Sequence, residues 1–440
     1  MSEPDLSGRT LHFVGIGGAG MSGLALVCAR LGAAVTGSDR AESSYLRRVL
    51  EKGIDARAGH DAANVPAAAE VVVSTAIDDD NPELAAARER GQRIVRRGEL
   101  LAELTALGRL IAVAGTHGKT STTGMLVHAL RAIGADPAFF LGGELPGAGP
   151  GGETANAGWG TGEWVIAEAD ESDASFLELR PEIAVVTNLE LDHHSRWSSL
   201  AELSDAFVQF AAGAEGVAML AGDELEPLAD RLAGSKVARF DARRPGPPEL
   251  ELRVPGRHNL LNARAALAAL ELAGFDLEPA AAALATFPGI LRRQQLVGSR
   301  NGARIYDDYA HHPTEVAATL EALRELEPRR LIAVFQPHLY SRTKAFAEDF
   351  GAALSLADEV GVLDVYAARE EPVGELEGVS GIQVAAAAAD RSAGRPVWWL
   401  VDAGRAEAAL APQLREGDVL VTIGAGDIFE LAERLVEAET

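Results

Sequence analysis

The sequence is short of several residue types, and each shortage excludes a class of protein. Cys28 is the one cysteine among 440 residues, so no disulfide can form within the chain and a zinc site built on cysteines is excluded. No apolar run approaches the roughly 18 residues that span a bilayer, and the N-terminus lacks the basic-then-apolar pattern of a secretory signal. We therefore expect a soluble cytoplasmic protein without membrane insertion.

Basic residues are also scarce, since 40 Lys and Arg residues stand against 65 Asp and Glu residues and give a formal net charge of −25. Such an acidic surface repels nucleic acid and anionic membranes, so we expect neither as a partner. If the chain binds phosphates, its site has to be locally positive inside an acidic shell.

The chain does contain a regular alternation of apolar, strand-like runs with helical patterns. This alternation is typical of parallel α/β layers, and the length suffices for about three domains. The predicted domains cover residues 1–107, 108–290 and 291–440. The glycine-rich segment 142–160 is predicted to be an irregular, mobile loop, whereas the alanine-rich runs near Ala280 and Ala385 are predicted to be helical.

A glycine loop follows the first strand-like run. Gly15, Gly17 and Gly20 have the spacing G-x-G-x-x-G, and Asp39 follows about twenty residues later, as the dinucleotide fingerprint expects. Such glycines let a diphosphate approach the backbone at the start of a helix. The motif alone leaves two interpretations open, a nicotinamide or flavin enzyme and a protein that holds a different diphosphate.

A second loop, VAGTHGKTSTT, gives the strongest local signal. A strand-like run leads into residues 115–120, and a helical pattern follows them. Backbone N–H groups at such a helix start bind phosphates, while the lysine reaches the β- and γ-phosphates and Thr120 ligates Mg²⁺. The loop is a shortened form of the full motif, because Val113 stands where that motif has a glycine.

Two acidic motifs follow later strand-like runs. EADESDASF carries four carboxylates in six residues from Glu168 onward, which suits Mg²⁺, although a solvated acidic turn remains the alternative. TNLELDHH ends in Asp192, His193 and His194. Further ligands at zinc spacing are not visible there, so we expect either a structural role or a place near nucleotide-bound Mg²⁺.

Polar clusters continue into the C-terminal half. His258 and Asn262 are four residues apart and are expected on one helix face, with simple helix capping as the alternative. The motifs LRRQQ, YDDYAHHPTEV and FQPHLYSRT each follow or interrupt a strand-like run, and each is weak by itself. GAGD at residues 424–427 is predicted to be a structural turn.

Taken in order along the chain, these motifs resemble the Mur ligases of peptidoglycan synthesis. The motifs that carry the resemblance are GIGGAGMSG, VVVSTAI, AGTHGKTST, AEADESDASF, TNLELDHH, GRHNLLNA, RRQ, YDDYAHHPTE, FQPHLYSRT and TIGAGDI. The resemblance implies an α/β protein of three domains. A Rossmann-like N-terminal domain would hold a UDP-sugar, a central P-loop ATPase-type domain would bind ATP, and a Rossmann-like C-terminal domain would bring the amino acid.

The resemblance also implies a reaction, closest to that of the members that add L-alanine. ATP would phosphorylate the lactyl carboxylate of UDP-N-acetylmuramate, and the amine of L-alanine would attack the acyl phosphate, with Mg²⁺ as cofactor. The residues assigned by resemblance are Lys119, Glu168 and His193 for catalysis; Gly115, Thr116, His117, Gly118, Lys119, Thr120, Ser121, His258, Asn262, Arg293 and Asp308 for the nucleotide; Gly15, Gly17, Gly18, Gly20, Ser74, His338 and Arg342 for the substrates; and Thr120, Glu168 and His193 for the metal.

One position departs from the family pattern, because Leu339 follows His338 where many members have arginine. Three alternatives stay open at this point. They are a relative that attaches a recycled tripeptide to UDP-N-acetylmuramate, a nucleotide-binding sensor without catalysis, and an NAD-dependent oxidoreductase that rests on the glycine loop alone. We expect a monomer or a homodimer.

Overall fold

The computed structural model describes residues 4–149, 151–191, 196–221, 225–232, 234–241, 250–368 and 370–437. Strands and helices alternate through these residues and form three separate sheets. Among the described residues, none of the helices combines the length and the apolar composition needed to cross a bilayer.

The first sheet has the strand order β3-β2-β1-β4-β5 and is parallel throughout. Its strands are β1 (Thr10–Val14), β2 (Ala34–Asp39), β3 (Asp55–Ala58), β4 (Glu70–Val73) and β5 (Ile94–Arg96). Its helices are α1 (Ala19–Arg30), α2 (Ser44–Glu51), α3 (Pro82–Glu89) and α4 (Arg97–Thr105), with a short 3₁₀ helix at Ala62–Asn64.

The second sheet has seven strands in the order β12-β11-β10-β6-β9-β7-β8, and only the pair β7–β8 is antiparallel. Its strands are β6 (Arg109–Ala114), β7 (Ala138–Leu145), β8 (Ala155–Gly158), β9 (Trp164–Glu168), β10 (Ile183–Val186), β11 (Gly216–Leu220) and β12 (Lys236–Phe240). The helices of this part are α5 (Lys119–Ala132), α6 (Leu200–Ala211), α7 (Glu226–Ala229), α8 (Arg257–Leu272) and α9 (Leu277–Leu284), with a 3₁₀ helix at Ser175–Glu178.

The third sheet has the order β13-β14-β18-β15-β16-β17, in which only β13 and β14 pair antiparallel. Its strands are β13 (Gln295–Arg300), β14 (Ala303–Asp308), β15 (Arg330–Phe335), β16 (Glu359–Leu363), β17 (Val397–Val401) and β18 (Asp418–Ile423). Its helices are α10 (Pro313–Arg324), α11 (Tyr340–Leu354), α12 (Gly381–Arg391), α13 (Ala403–Leu410) and α14 (Phe429–Glu437), with 3₁₀ helices at Gly374–Leu376 and Ala411–Gln413.

The central strands are largely apolar, because helices cover both faces of each parallel sheet. In β10 and β18 every residue is buried. The chain divides into two compact units, Met1–Leu252 with Leu260–Pro288, and Arg253–Asn259 with Gly289–Thr440. One continuous hydrophobic core runs through the first two sheets, whereas the third sheet has its own core on each face. Each sheet lies inside one of the three predicted domain ranges, whose boundaries remain a prediction.

The predicted irregular loop at residues 142–160 is wrong at both of its ends. Strand β7 continues to Leu145, and β8 occupies Ala155–Gly158, so the two form an antiparallel hairpin. The hairpin packs against α1, where the Asn156 side-chain amide donates to the Ala19 carbonyl across 2.5 Å. This tertiary contact and the strand pairing outweigh the weak strand preference of the glycines.

Candidate functional site

The glycine loop joins β1 to α1 at the carboxyl edge of the first sheet. Gly18 caps α1 without any side-chain hydrogen bond, so backbone N–H groups of the first helical turn are available to an anion. The Gly17 N–H donates to the Asp39 carboxylate across 2.9 Å. Asp39 therefore supports the loop itself, which differs from the ribose contact that this acid makes in dinucleotide enzymes.

Ser74 lies at the same edge of the sheet as the glycine loop. Val14 and Val73 are register partners in the parallel pair β1–β4, so Gly15 and Ser74 leave the sheet side by side. The half-buried Ser74 hydroxyl accepts a hydrogen bond from the Ala76 N–H at 3.3 Å. The structure thus brings this predicted substrate residue next to the loop.

A cleft runs from the glycine loop to the end of β9. Gly20, Arg97, Asn156, Glu168 and Asp170 are among the residues that line it. The Arg97 guanidinium donates to Asp173 across 3.1 Å and supplies a positive charge beside the loop. Sequence reasoning missed Arg97, and no motif around it would have shown that the start of α4 lies beside the start of α1.

The second loop joins β6 to α5 and depends on two glycines. Gly115 has φ = 135°, and a Cβ atom there would lie 2.0 Å from the Thr187 hydroxyl oxygen. Gly118 has φ = 81°, and a Cβ atom there would lie 2.4 Å from the side-chain oxygen of Asn262. Both positions require glycine, and the predicted nucleotide residue Asn262 is brought beside the loop.

The segment that follows β10 holds this loop in place. Thr116 donates through its hydroxyl to the Glu190 carbonyl at 2.8 Å, and the His117 N–H donates to the Asn188 side chain at 2.9 Å. The Thr187 hydroxyl donates to the His117 carbonyl at 2.6 Å. Within TNLELDHH the structural support therefore comes from the first four residues, whereas the predicted metal residue His193 lies outside the described residues.

Lys119 begins α5 and is held by its own loop and by an acidic residue. Its ammonium group donates to the Gly115 carbonyl at 2.7 Å and to the Glu171 carboxylate at 2.8 Å. Burial lowers the pKa of Lys119, but the charges of Glu171 and its acidic neighbours outweigh burial and hold that pKa above its ordinary value. The lysine is charged at neutral pH and can attract phosphate.

Thr120 and Glu168 meet at the end of β9. The Thr120 hydroxyl lies 3.1 Å from one Glu168 oxygen, and the other Glu168 oxygen accepts from the Gly142 N–H at 2.8 Å. A carboxylate beside a hydroxyl is the hard oxygen donor set that Mg²⁺ prefers. The donor set therefore fits a magnesium ion. Ser121, also predicted for the nucleotide, lies half-buried in the first turn of the same helix.

Asp308 ends β14 in the second compact unit and is 4% exposed. Its carboxylate accepts from the Gln294 N–H at 2.8 Å and from the Ala310 N–H at 2.7 Å. Burial raises the pKa of Asp308 to about 6, although the charge of Arg293 acts in the opposite direction. The Arg293 guanidinium lies over the Tyr309 ring, 5.2 Å from its centroid.

Gln294 connects several of these groups and was missed by sequence reasoning. Its side-chain nitrogen lies 3.3 Å from His258 Nε2, and its side-chain oxygen accepts from Asn259 at 3.0 Å. Burial lowers the pKa of His258 to about 4, so this imidazole is neutral at pH 7. The run RRQQ was the available signal, but it does not show which of its residues turns inward.

His338 and Arg342 lie at the start of α11. The His338 ring stacks on Tyr366 with centroids 5.8 Å apart and planes 15° apart, and the Leu339 N–H donates to the Tyr366 carbonyl at 3.0 Å. The His311 ring lies 6.3 Å from that of His338. Burial, with a smaller contribution from the charge of Arg342, lowers the pKa of His311 to about 4. Sequence reasoning missed Tyr366.

Three family models match the chain in succession. They are described as "Mur ligase family, catalytic domain" over residues 10–109, "Mur ligase middle domain" over residues 113–244 and "Mur ligase, glutamate ligase domain" over residues 292–426. Together they cover most of the sequence, in the order that the motifs indicate.

Curated relatives and solved structures are similar over almost the full length. A UDP-N-acetylmuramate--L-alanine ligase of Mycolicibacterium vanbaalenii is 45% identical over 98% of this chain and 96% of its own. The UDP-N-acetylmuramate-alanine ligase of Thermotoga maritima has a TM-score of 0.82 at 30% identity, covering 98% of this chain and 99% of that one. A murein peptide ligase of Psychrobacter arcticus has a TM-score of 0.71 at 25% identity, covering 98% of both chains.

Proposed function

The chain belongs to the Mur ligase family, and on that premise we propose that it joins L-alanine to the lactyl carboxylate of UDP-N-acetylmuramate at the expense of ATP. The observation that carries this proposal is the arrangement at the start of α5, where a charged lysine, a hydroxyl and a carboxylate surround a loop with open helix N–H groups. A relative of that name is 45% identical to it over nearly the whole chain.

The reaction has two steps. A lactyl carboxylate oxygen attacks the γ-phosphorus of ATP, so ADP leaves and an acyl phosphate forms. The amine nitrogen of L-alanine then attacks the acyl carbon, the C–O bond to phosphate breaks, and the nitrogen loses a proton. Little covalent work falls to the protein, so positioning and charge neutralisation dominate.

The residues of the second loop supply this neutralisation. Lys119 and the backbone N–H groups at the start of α5 would bind the β- and γ-phosphates, because an ammonium group and a helix N-terminus both attract anions. Thr120 and Glu168 would hold Mg²⁺, together with His193 by resemblance. When bound, Mg²⁺ supplies positive charge to the phosphate oxygens. His258, Asn262, Arg293 and Asp308 are proposed as further nucleotide contacts on the strength of the resemblance.

The remaining assignments concern the other two substrates. Gly15, Gly17, Gly18, Gly20 and Ser74 are proposed to bind the UDP-sugar, because the uncapped start of α1 suits its diphosphate. His338 and Arg342 are proposed to bind L-alanine, with the guanidinium facing its carboxylate. A cytoplasmic location follows from this proposal, since ATP and UDP-sugars are cytoplasmic substrates, and a monomer or homodimer is proposed.

The alternative within the family is a ligase that adds a recycled tripeptide. The similarity to a murein peptide ligase supports this alternative. One experiment decides between the two. Phosphate release is measured with ATP, Mg²⁺ and UDP-N-acetylmuramate, adding L-alanine, glycine, L-serine or the tripeptide in turn. We expect release with L-alanine and none with the tripeptide, and the reverse result would overturn the proposal.

A further inference from the structure

Every N–H group of the Lys119 side chain is engaged within its surroundings. An ammonium group has three donors, and four oxygens lie within reach of this one. They are the carbonyls of Gly115 and Thr116 at 2.7 and 3.2 Å, and both carboxylate oxygens of Glu171 at 2.8 and 3.0 Å. The position that a phosphate oxygen would take on this group is filled by Glu171.

Glu171 is buried, and its backbone is held in place by the Trp197 ring. It is 1% exposed, and its backbone carbonyl accepts from the Trp197 indole N–H across 3.0 Å. That indole is itself buried and meets the Phe176 ring edge-on at 6.5 Å. Lys119 has a flexible four-carbon stem and is the partner that can move.

We propose that Glu171 is a positioning residue that holds Lys119 against its own loop and that nucleotide phosphates have to displace. This inference rests on the proposed function of the loop. When a phosphate binds the Lys119 ammonium group, the buried Glu171 carboxylate loses its cation. A buried charge without a partner is strongly unfavourable. Glu171 therefore lowers nucleotide affinity, and its recapture of Lys119 favours the release of ADP.

The test is the affinity for ADP of the full-length Glu171→Gln variant, measured by titration calorimetry in the presence of EDTA. Gln keeps an oxygen that accepts from Lys119, but it removes the charge that competes with phosphate. We expect the Kd for ADP to fall at least about tenfold and the KM for ATP to fall with it. Unchanged or weaker ADP binding in this variant overturns the proposal.

Glu182→Gln is the matched control, because it removes one carboxylate charge away from the loop. Glu182 directly precedes β10, at the opposite end of that strand from the loop, and accepts from Arg109 at 3.0 Å. We expect its Kd for ADP to change by less than about threefold, as is usual for a charge without direct contact. Equal tightening in both variants would show a general charge effect and would also overturn the proposal.

If Glu171→Gln does not fold, a second variant, Glu171→Asp, tests the same proposal. Glu171→Asp keeps the charge but retracts it by one methylene from Lys119, so we expect a smaller tightening of ADP binding. No tightening there contradicts the proposal. A different result would show that the proposed function itself is wrong. In that case the Lys119→Ala variant would bind ADP as tightly as the wild type.

Discussion

The hydroxyl group of Thr120 lies 3.1 Å from the carboxylate of Glu168, although 48 residues separate the two along the chain. They meet because β6 and β9 are parallel neighbours, with Val113 and Glu168 as register partners. The carboxyl ends of these strands therefore deliver a helix start and an acid to one point. Two oxygens in this relation can supply two of the six ligands of an octahedral Mg²⁺ ion.

Replacement of Glu168 by Gln is expected to lower phosphate release at least about 100-fold, because an amide oxygen is a poorer ligand for a dication. The measurement is the rate against Mg²⁺ concentration. Glu163→Gln is the control, since Glu163 directly precedes β9 at its other end and is 54% exposed in an ion pair with Arg109. Its rate should stay within about twofold. An unchanged Mg²⁺ dependence in Glu168→Gln would remove Glu168 from the metal site.

Lys119→Ala is expected to remove measurable turnover, because the loop loses the cation that meets the phosphates. It also leaves Glu171 buried without its partner, so the melting temperature should fall. The double variant Lys119→Ala/Glu171→Gln should regain stability while staying inactive, and Lys52→Ala on the exposed Lys52–Glu153 pair should resemble the wild type. Substantial turnover in the double variant would contradict the phosphate-loop assignment.

Gly118→Ala and Gly134→Ala separate backbone strain from lack of space, since the two glycines precede and follow α5 with φ of 81° and 82°. Each substitution should cost about 1–2 kcal/mol in the free energy of unfolding. At Gly118 the methyl group also displaces the Asn262 amide, whereas nothing lies within 4 Å of a Cβ at Gly134. The affinity for ADP should therefore fall only in Gly118→Ala. Equal affinities in the two variants would exclude a role in nucleotide binding for Asn262 and for the turn at Gly118.

Asp308 should make folding stability fall as pH rises from about 4 to 6. Its pKa is about 6 in the folded chain against an ordinary value of 3.8, so in this window the folded state binds more protons than the unfolded state. The loss amounts to about 3 kcal/mol. Denaturant unfolding of wild type and Asp308→Asn at pH 4 and pH 7 measures it. The variant should gain stability relative to the wild type at pH 7, and a pH-independent difference would contradict the burial of this charge.

The sequence allowed the long central strands to be predicted, because a strand buried on both faces has to be apolar throughout. RLIAVA forms β6 and the first four residues of IAVVTN form β10, and the carboxyl ends of both strands lie where the two loop motifs were expected. The short strands β5 and β8 escaped prediction. IVR is only three residues long, and ANAG contains no β-branched or aromatic residue, so both strands depend on their neighbours for pairing.

Within the candidate site, residues with distinctive chemistry were predictable and their supports were not. Lys119 and Glu168 were recognisable from local motifs, because each motif directly follows a strand-like run. Asn188 and Gln294 are ordinary polar residues in sequence. Their roles arise only when β10 lies beside β6 and when the turn before β13 folds inward, and both are tertiary events.

The β7–β8 hairpin contacts both the start of α1 and the end of β9. Asn156 on β8 bonds to the first residue of α1, while Gly142 on β7 bonds to Glu168. One short hairpin therefore acts as a spacer of fixed length between the place proposed for the sugar diphosphate and the place proposed for the metal. Folding of the hairpin therefore sets the distance between the start of α1 and Glu168. A one-residue insertion in β7 or β8 would change that distance without changing the sequence of either place.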